Sequence, residues 1–203
     1  MENLEQNTEN KIFDAAEEIF QQKGLGGARM QEIAEKAGIN KALLHYYFRT
    51  KEKLFGEIFK KAILINQPIF IQVLNSDLEL HHKIETFIDK YMDLISKKPF
   101  IPLFIINQLN QEPNFITKFI SEKINFDFSN LEKQLKDEFE KGNIIKITAP
   151  HLVADIFAMC AFSTLAKPML KFMFKMDDEA YKVFFHERKK HISEIIFNGI
   201  LKK

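Results

Sequence analysis

The chain has 203 residues, with 29 Lys and Arg against 28 Asp and Glu, a formal charge of +1, and 46% hydrophobic residues. That balance suits a globular protein of one or two domains with a sizeable core, and it excludes a polybasic or strongly acidic chain. The single cysteine, Cys160, excludes an intrachain disulfide framework.

Residues 1–7 are polar. Thr8 can cap a first helix running to about Lys23, with Ile12, Ala15, Ala16, Ile19 and Phe20 on its inner face and Gly24, Gly26 and Gly27 breaking it. Met30, Ile33, Ala34 and Ala37 then recur at i, i+3, i+4 and i+7, the stripe of a short second helix. Gly38 can end it in the left-handed conformation, Ile39 fills the turn, and Asn40 is a good N-cap for a third helix. That helix turns Leu44, Tyr47 and Phe48 inward and Lys41, Ala42, His45 and Tyr46 outward. Two short helices joined by a glycine-containing turn make a helix-turn-helix, whose second helix enters the DNA major groove. Thr50 can cap a fourth helix from Lys51, carrying Leu54, Phe55, Ile58, Phe59, Ala62 and Ile65, which Pro68 should end or kink.

Charge supports the same surface. Residues 1–22 carry six acids against Lys11 alone, whereas residues 23–61 carry nine bases against four acids, a local +5. A basic excess over a helix-turn-helix fits a phosphate-facing surface, although a solvated mixed-charge face gives the same count.

The remaining chain is helical in pattern. A helix at 80–95 carries Ile84, Phe87, Ile88, Tyr91, Leu94 and Ile95 on one side, and a short apolar helix covers 100–109. Glu112-Pro113-Asn114 restarts the chain, and apolar residues recur through 115–139. Gly142-Asn143 stops it. Thr148-Ala149-Pro150 starts a helix to about Ala166, and Asp177-Asp178-Glu179 opens the last one. With no strand pattern, the expected fold is all-α, with about nine helices. The expected domains are a DNA-binding head at 1–62 and a helical body at 63–203.

The set Ile33-Ala34, Ala37-Gly38-Ile39, Asn40-Lys41, Leu44-His45-Tyr46-Tyr47-Phe48 and Lys51-Glu52-Lys53-Leu54-Phe55 resembles the DNA-binding domain of TetR/AcrR-type transcriptional regulators, with Ala15-Ala16, Phe20 and Gly24 matching the first helix. The resemblance covers the first third of the chain. It implies DNA contacts from Arg29, Lys41, Ala42, Leu43, His45, Tyr46, Tyr47 and Lys51. Three of these depart from the family pattern: Arg29 replaces a capping threonine, Leu43 a polar residue and His45 a tyrosine. Phe48 sits at core spacing and reads as packing, and Tyr47 as packing or contact alike.

The resemblance also implies a homodimer on double-stranded DNA with a quasi-palindromic operator. Its dimer surface would be a four-helix bundle from about 149–166 and 178–200, with Phe157, Ala161, Leu165, Arg188, Ile192 and Ile195 as candidates for the seam. A small-molecule effector is expected in the body. The chain has 21 Phe against four Tyr and no Trp. Phe104, Phe115, Phe119, Met159 and Phe162 are candidate apolar lining, with Asn107, Gln108 and Asp155 as polar groups that fix orientation or pair with a neighbouring helix. Phenylalanine on a helix is more often core than pocket wall.

The expected function is therefore a dimeric transcriptional repressor released by a lipophilic or aromatic ligand. The alternative is a helical protein-interaction module with a degenerate DNA-binding head. Enzyme chemistry is not expected. His186 and His191 stand at i+5, so they do not share a helix face as a zinc protease requires, and His81 and His82 are neighbours that point apart. No phosphate loop, nucleophile elbow or paired-cysteine spacing occurs, and no cofactor or metal is expected. The acidic N-terminus has no apolar signal region, and the most apolar stretch, 152–166, is too short to span a bilayer. A cytoplasmic location without membrane association is expected.

Overall fold

The computed structural model describes residues 2–111 and 127–202, with side chains throughout these ranges except at 2–6, 66, 67, 69, 104, 107–109 and 111. Ten helices occur among the described residues: α1 (Glu2–Gly27), α2 (Met30–Lys36), α3 (Lys41–Tyr47), α4 (Lys51–Leu74), α5 (Leu80–Lys97), α6 (Phe100–Gln111), α7 (Ser129–Glu140), α8 (Ala149–Leu165), α9 (Lys167–Met173) and α10 (Asp178–Ile200). The all-α expectation holds. The chain forms two compact units, Met1–Ile65 and Asn66–Lys203, so the break falls inside α4.

The first unit closes around α1. Ile12, Ala15, Ala16, Ile19 and Phe20 are buried, as their spacing predicts, and so are Ile33, Leu44, Leu54, Phe55 and Ile58 of the other three helices. Phe20 meets Phe55 edge-on at 4.7 Å between ring centres, and Phe13 lies 5.6 Å from Phe48. Ion pairs Lys36–Glu18 (2.7 Å) and Lys23–Glu32 (3.0 Å) add α1–α2 links that solvent largely screens.

In the second unit α5 is the hub, packing on α6, α8 and α10. Its predicted face is buried from Ile84 to Ile95. Lys83 is buried too, because its ammonium donates to the Leu74 carbonyl at 3.0 Å and closes the C-terminal end of α4. Desolvation pushes the Lys83 pKa down, and Asp77 opposes that shift. Lys189 of α10 pairs with Asp89 (2.7 Å) and Asp93 of α5. The Tyr181 hydroxyl donates to the Ser163 carbonyl, tying α10 to α8.

Several expectations about the helix ends are corrected. Helix α1 starts at Glu2, ahead of Thr8, and only Gly24 interrupts it (φ 65°, ψ 174°); Gly26 and Gly27 remain helical. Pro68 lies inside α4, which continues to Leu74. Proline removes one bond to the carbonyl four residues back, at Leu64; both residues are exposed, so water can satisfy it. Helix α8 ends at Leu165, beside the expected Ala166, and Pro168 sits in the first turn of the additional helix α9. Helix α8 begins where expected, with Thr148 at the N-cap position, but the Thr148 side chain does not cap it. Glu132 does so instead, its carboxylate accepting the Ala149 amide at 3.0 Å.

Candidate nucleic-acid interface

The α2–α3 turn is built by backbone accounting. Helix α2 ends with unsatisfied carbonyls. Gly38 takes φ +69°, which brings its amide to the Glu35 carbonyl (3.1 Å) and the Ile39 amide to the Ala34 carbonyl (3.0 Å), a Schellman closure. Asn40 follows in extended conformation, and its Oδ1 accepts the Leu43 amide at 2.7 Å. Leu44 is 0% exposed and Phe48 7%, so both anchor α3 from beneath. Thr50 Oγ1 accepts the Lys53 amide at 3.2 Å and starts α4.

The opposite side of α3 is open. Lys41, Ala42 and His45 are exposed, and Tyr46 is 83% exposed, its ring edge-on to Tyr47 at 5.7 Å. Leu43 and Tyr47 are half-buried. The His45 ring is oriented by Nδ1, 3.1 Å from the Arg49 carbonyl. A carbonyl only accepts, so this contact requires Nδ1 to carry the hydrogen, and it leaves Nε2 facing outward. Arg29, at the N-cap of α2, is exposed and makes no capping bond. Arg29, Lys41, Arg49 and Lys53 are all exposed, and no ion pair among the described residues engages them.

Lys51 sits differently. It is half-buried, and its ammonium donates to the carbonyls of Leu25 (2.9 Å), Gly26 (3.2 Å) and Ala28 (3.4 Å). The sequence offered no local signal for this contact, because the partners lie more than twenty residues upstream.

The expected effector residues are not assembled into one site among the described residues. Phe115 and Phe119 lie outside the described residues, as do the side chains of Phe104, Asn107 and Gln108. Met159 is half-buried, whereas Asp155 and Phe162 are exposed on α8. The inner stripe of α8 is instead Leu152, Ile156, Cys160 and Ser163, which turns Asp155 and Phe162 away from the core. A groove of about 300 Å³ lies between α5, α8 and α10, walled by Ile95, Pro99, Thr164, Tyr181 and Phe185, and none of the expected residues lines it. Ile192, expected at a dimer seam, is buried within the protomer at 0% exposure; Phe157 and Ile195 are exposed. No single helix among the described residues is long and apolar enough to cross a membrane.

Residues 12–58 match the family model described as "Bacterial regulatory proteins, tetR family". The chain is 34% identical over 92 residues to the HTH-type transcriptional repressor SCO4008 of Streptomyces coelicolor, a match spanning 45% of this chain and 44% of that protein. It is 26% identical to the HTH-type transcriptional regulator RutR of Escherichia coli O157:H7 over 93% of this chain and 88% of that one. Among solved structures, HlyIIR, a hemolysin II transcriptional regulator, shares the fold with a TM-score of 0.57 at 20% identity, covering 98% of this chain and 99% of that chain. With the Schellman-closed turn, the capped third helix and the family's motif set in one unit, residues 12–58 form a DNA-binding head of the kind described by the TetR family model of bacterial regulatory proteins.

Proposed function

We propose that the protein is a cytoplasmic, homodimeric repressor that binds a quasi-palindromic operator through α3 and leaves it when a small lipophilic or aromatic ligand binds the body. One observation carries the DNA-reading part: α3 is capped by Asn40 and anchored by Leu44 and Phe48, while its other face presents Lys41, Ala42, His45 and Tyr46 to solvent. In this reading Lys41 and Arg29 hold phosphates, which give affinity but no sequence information. Ala42 lets the backbone approach and can meet a thymine methyl, and Leu43, Tyr46 and Tyr47 add contacts beside it.

One head grips few base pairs, and two related by a twofold axis gain both affinity and symmetry. The exposed apolar side chains of α8 and α10, among them Phe157, Phe162, Val183 and Ile195, support a second copy as the partner. The ligand part rests on the family resemblance and on the phenylalanine-rich body. A ligand releases the protein only by its differential affinity for the two states, typically about 1–3 kcal/mol of coupling.

Selection of genomic fragments on the immobilised full chain tests the proposal. The expected product is one quasi-palindromic sequence with half-sites on the order of 34–36 Å apart, or a multiple of that spacing. Recovery of no common sequence would reject it. Equal operator affinity with and without a ligand shown to bind the body would reject release by that ligand.

A further inference from the structure

We propose that two copies of this chain are held in register by reciprocal ion pairs, Asp155 of each copy meeting Arg188 of the partner subunit. This rests on the homodimer reading above and names the charges that set the seam. Asp155 is the only acidic or basic residue of α8 apart from the neutral His151. It is exposed, and no ion pair or hydrogen bond among the described residues engages it. Arg188 of α10 is half-buried, where a charge needs a partner. Its one bond among the described residues runs from Nε to Ser163 Oγ at 3.4 Å, and the other guanidinium N–H groups are left over.

The two side chains belong to one surface. On α8, Asp155, Met159 and Phe162 recur at i, i+4 and i+7. On α10, Phe184, Arg188, His191 and Ile195 recur at i, i+4, i+7 and i+11. Each of these residues is half-buried or exposed, with Phe162 at 52% and Ile195 at 43%. The opposite flanks of the two helices face α5, through Phe157 against Tyr91 and Lys189 against Asp89. Apolar residues at this spacing make a seam for another helix. The bond to Ser163 sets Arg188 eight residues along α8 from Asp155, about 12 Å, too far for the two to pair within one chain. Met159 lies midway. A twofold axis crossing α8 there at right angles carries Asp155 of one copy to the level of Arg188 of the partner subunit, and the reverse. Opposite charges then meet twice, and the planar guanidinium suits a carboxylate. A slip along the seam would set each charge against apolar side chains, so the pairs select one register.

The test needs no DNA. Sedimentation equilibrium of the full chain reads the dimer dissociation constant, with circular dichroism as the check on folding. Asp155→Arg and Arg188→Asp each set like charges face to face twice per dimer. Each should raise the dissociation constant by about a hundredfold or more. The exchange variant carrying both substitutions should return to within about tenfold of wild type, and it decides the question if a single variant fails to fold. Mixing the two single variants is the sharper arm. In a mixed dimer both pairs are restored, so dimers should reappear, which a contact within one chain could not produce. Single variants that dimerise like wild type would overturn the proposal, as would an exchange variant and a mixture no tighter than the single variants alone. Wild-type protein that stays monomeric at every concentration would refute the homodimer reading itself, and the pairs with it.

Discussion

Replacing Asn40 separates the helix cap from the DNA contact. Helix α3 has seven residues, and isolated helices shorter than about 12–15 are marginal in water. It persists because of its cap and its buried Leu44 and Phe48. Asn40→Ala removes the 2.7 Å bond to the Leu43 amide. Loss of an N-cap costs typically about 1 kcal/mol, within roughly 0.5–2. For a chain of this size that lowers Tm by about 2–4 °C. Asn40→Ser restores an accepting oxygen and should recover both melting and operator affinity. Asn40→Asp should recover melting as well, but it places a carboxylate beside Lys41 on the surface assigned to phosphates. A unit charge at that range costs roughly 1–2 kcal/mol, a complex about five- to thirtyfold weaker. Thermal melts and fluorescence anisotropy on the selected operator read the two effects separately. Alanine melting with wild type would refute the capping argument; aspartate binding like wild type would remove α3's start from the DNA surface.

Leu44→Ala should cost about 2–5 kcal/mol in denaturant unfolding, because the side chain is fully buried beneath the reading face; a cost under about 1 kcal/mol would contradict that packing. Cys160 is 0% exposed, and burial pushes its thiol from the ordinary 9.0 up to about 12, Arg188 opposing. The folded state therefore holds its proton where the unfolded chain releases it, so stability should fall as pH rises from about 9 towards 12. Cys160→Ala should flatten that limb of the curve, and a thiol reagent should label Cys160 only on unfolding. Rapid labelling of the native protein would contradict its burial.

The head was legible in the sequence because its signals are local. Gly38, Asn40 and Thr50 each do, with their own backbone or side chain, what their residue type suggests within three or four positions. The α5 face was legible for the same reason, since a 3.6-residue period needs no partner to be recognised. What escaped depends on residues distant in sequence. The Lys51 cradle joins residues more than twenty apart, and Glu132 caps α8 from seventeen residues upstream. Helix α8 is apolar nearly all round, and such a helix carries little period to tell its buried stripe from the face that carries Asp155 and Phe162. Pro68 was expected to end or kink α4, and the helix runs on through it because an exposed proline is compatible with helix.

The most direct measurement is operator affinity of the Lys41→Ala/Tyr46→Ala protein beside wild type. Both side chains are exposed, so melting should stay within about 0.5 kcal/mol of wild type. Loss of a phosphate contact and an aromatic contact from each head should weaken binding by well over tenfold, with a shallower salt slope. A folded double variant that binds the operator as tightly as wild type would contradict the account.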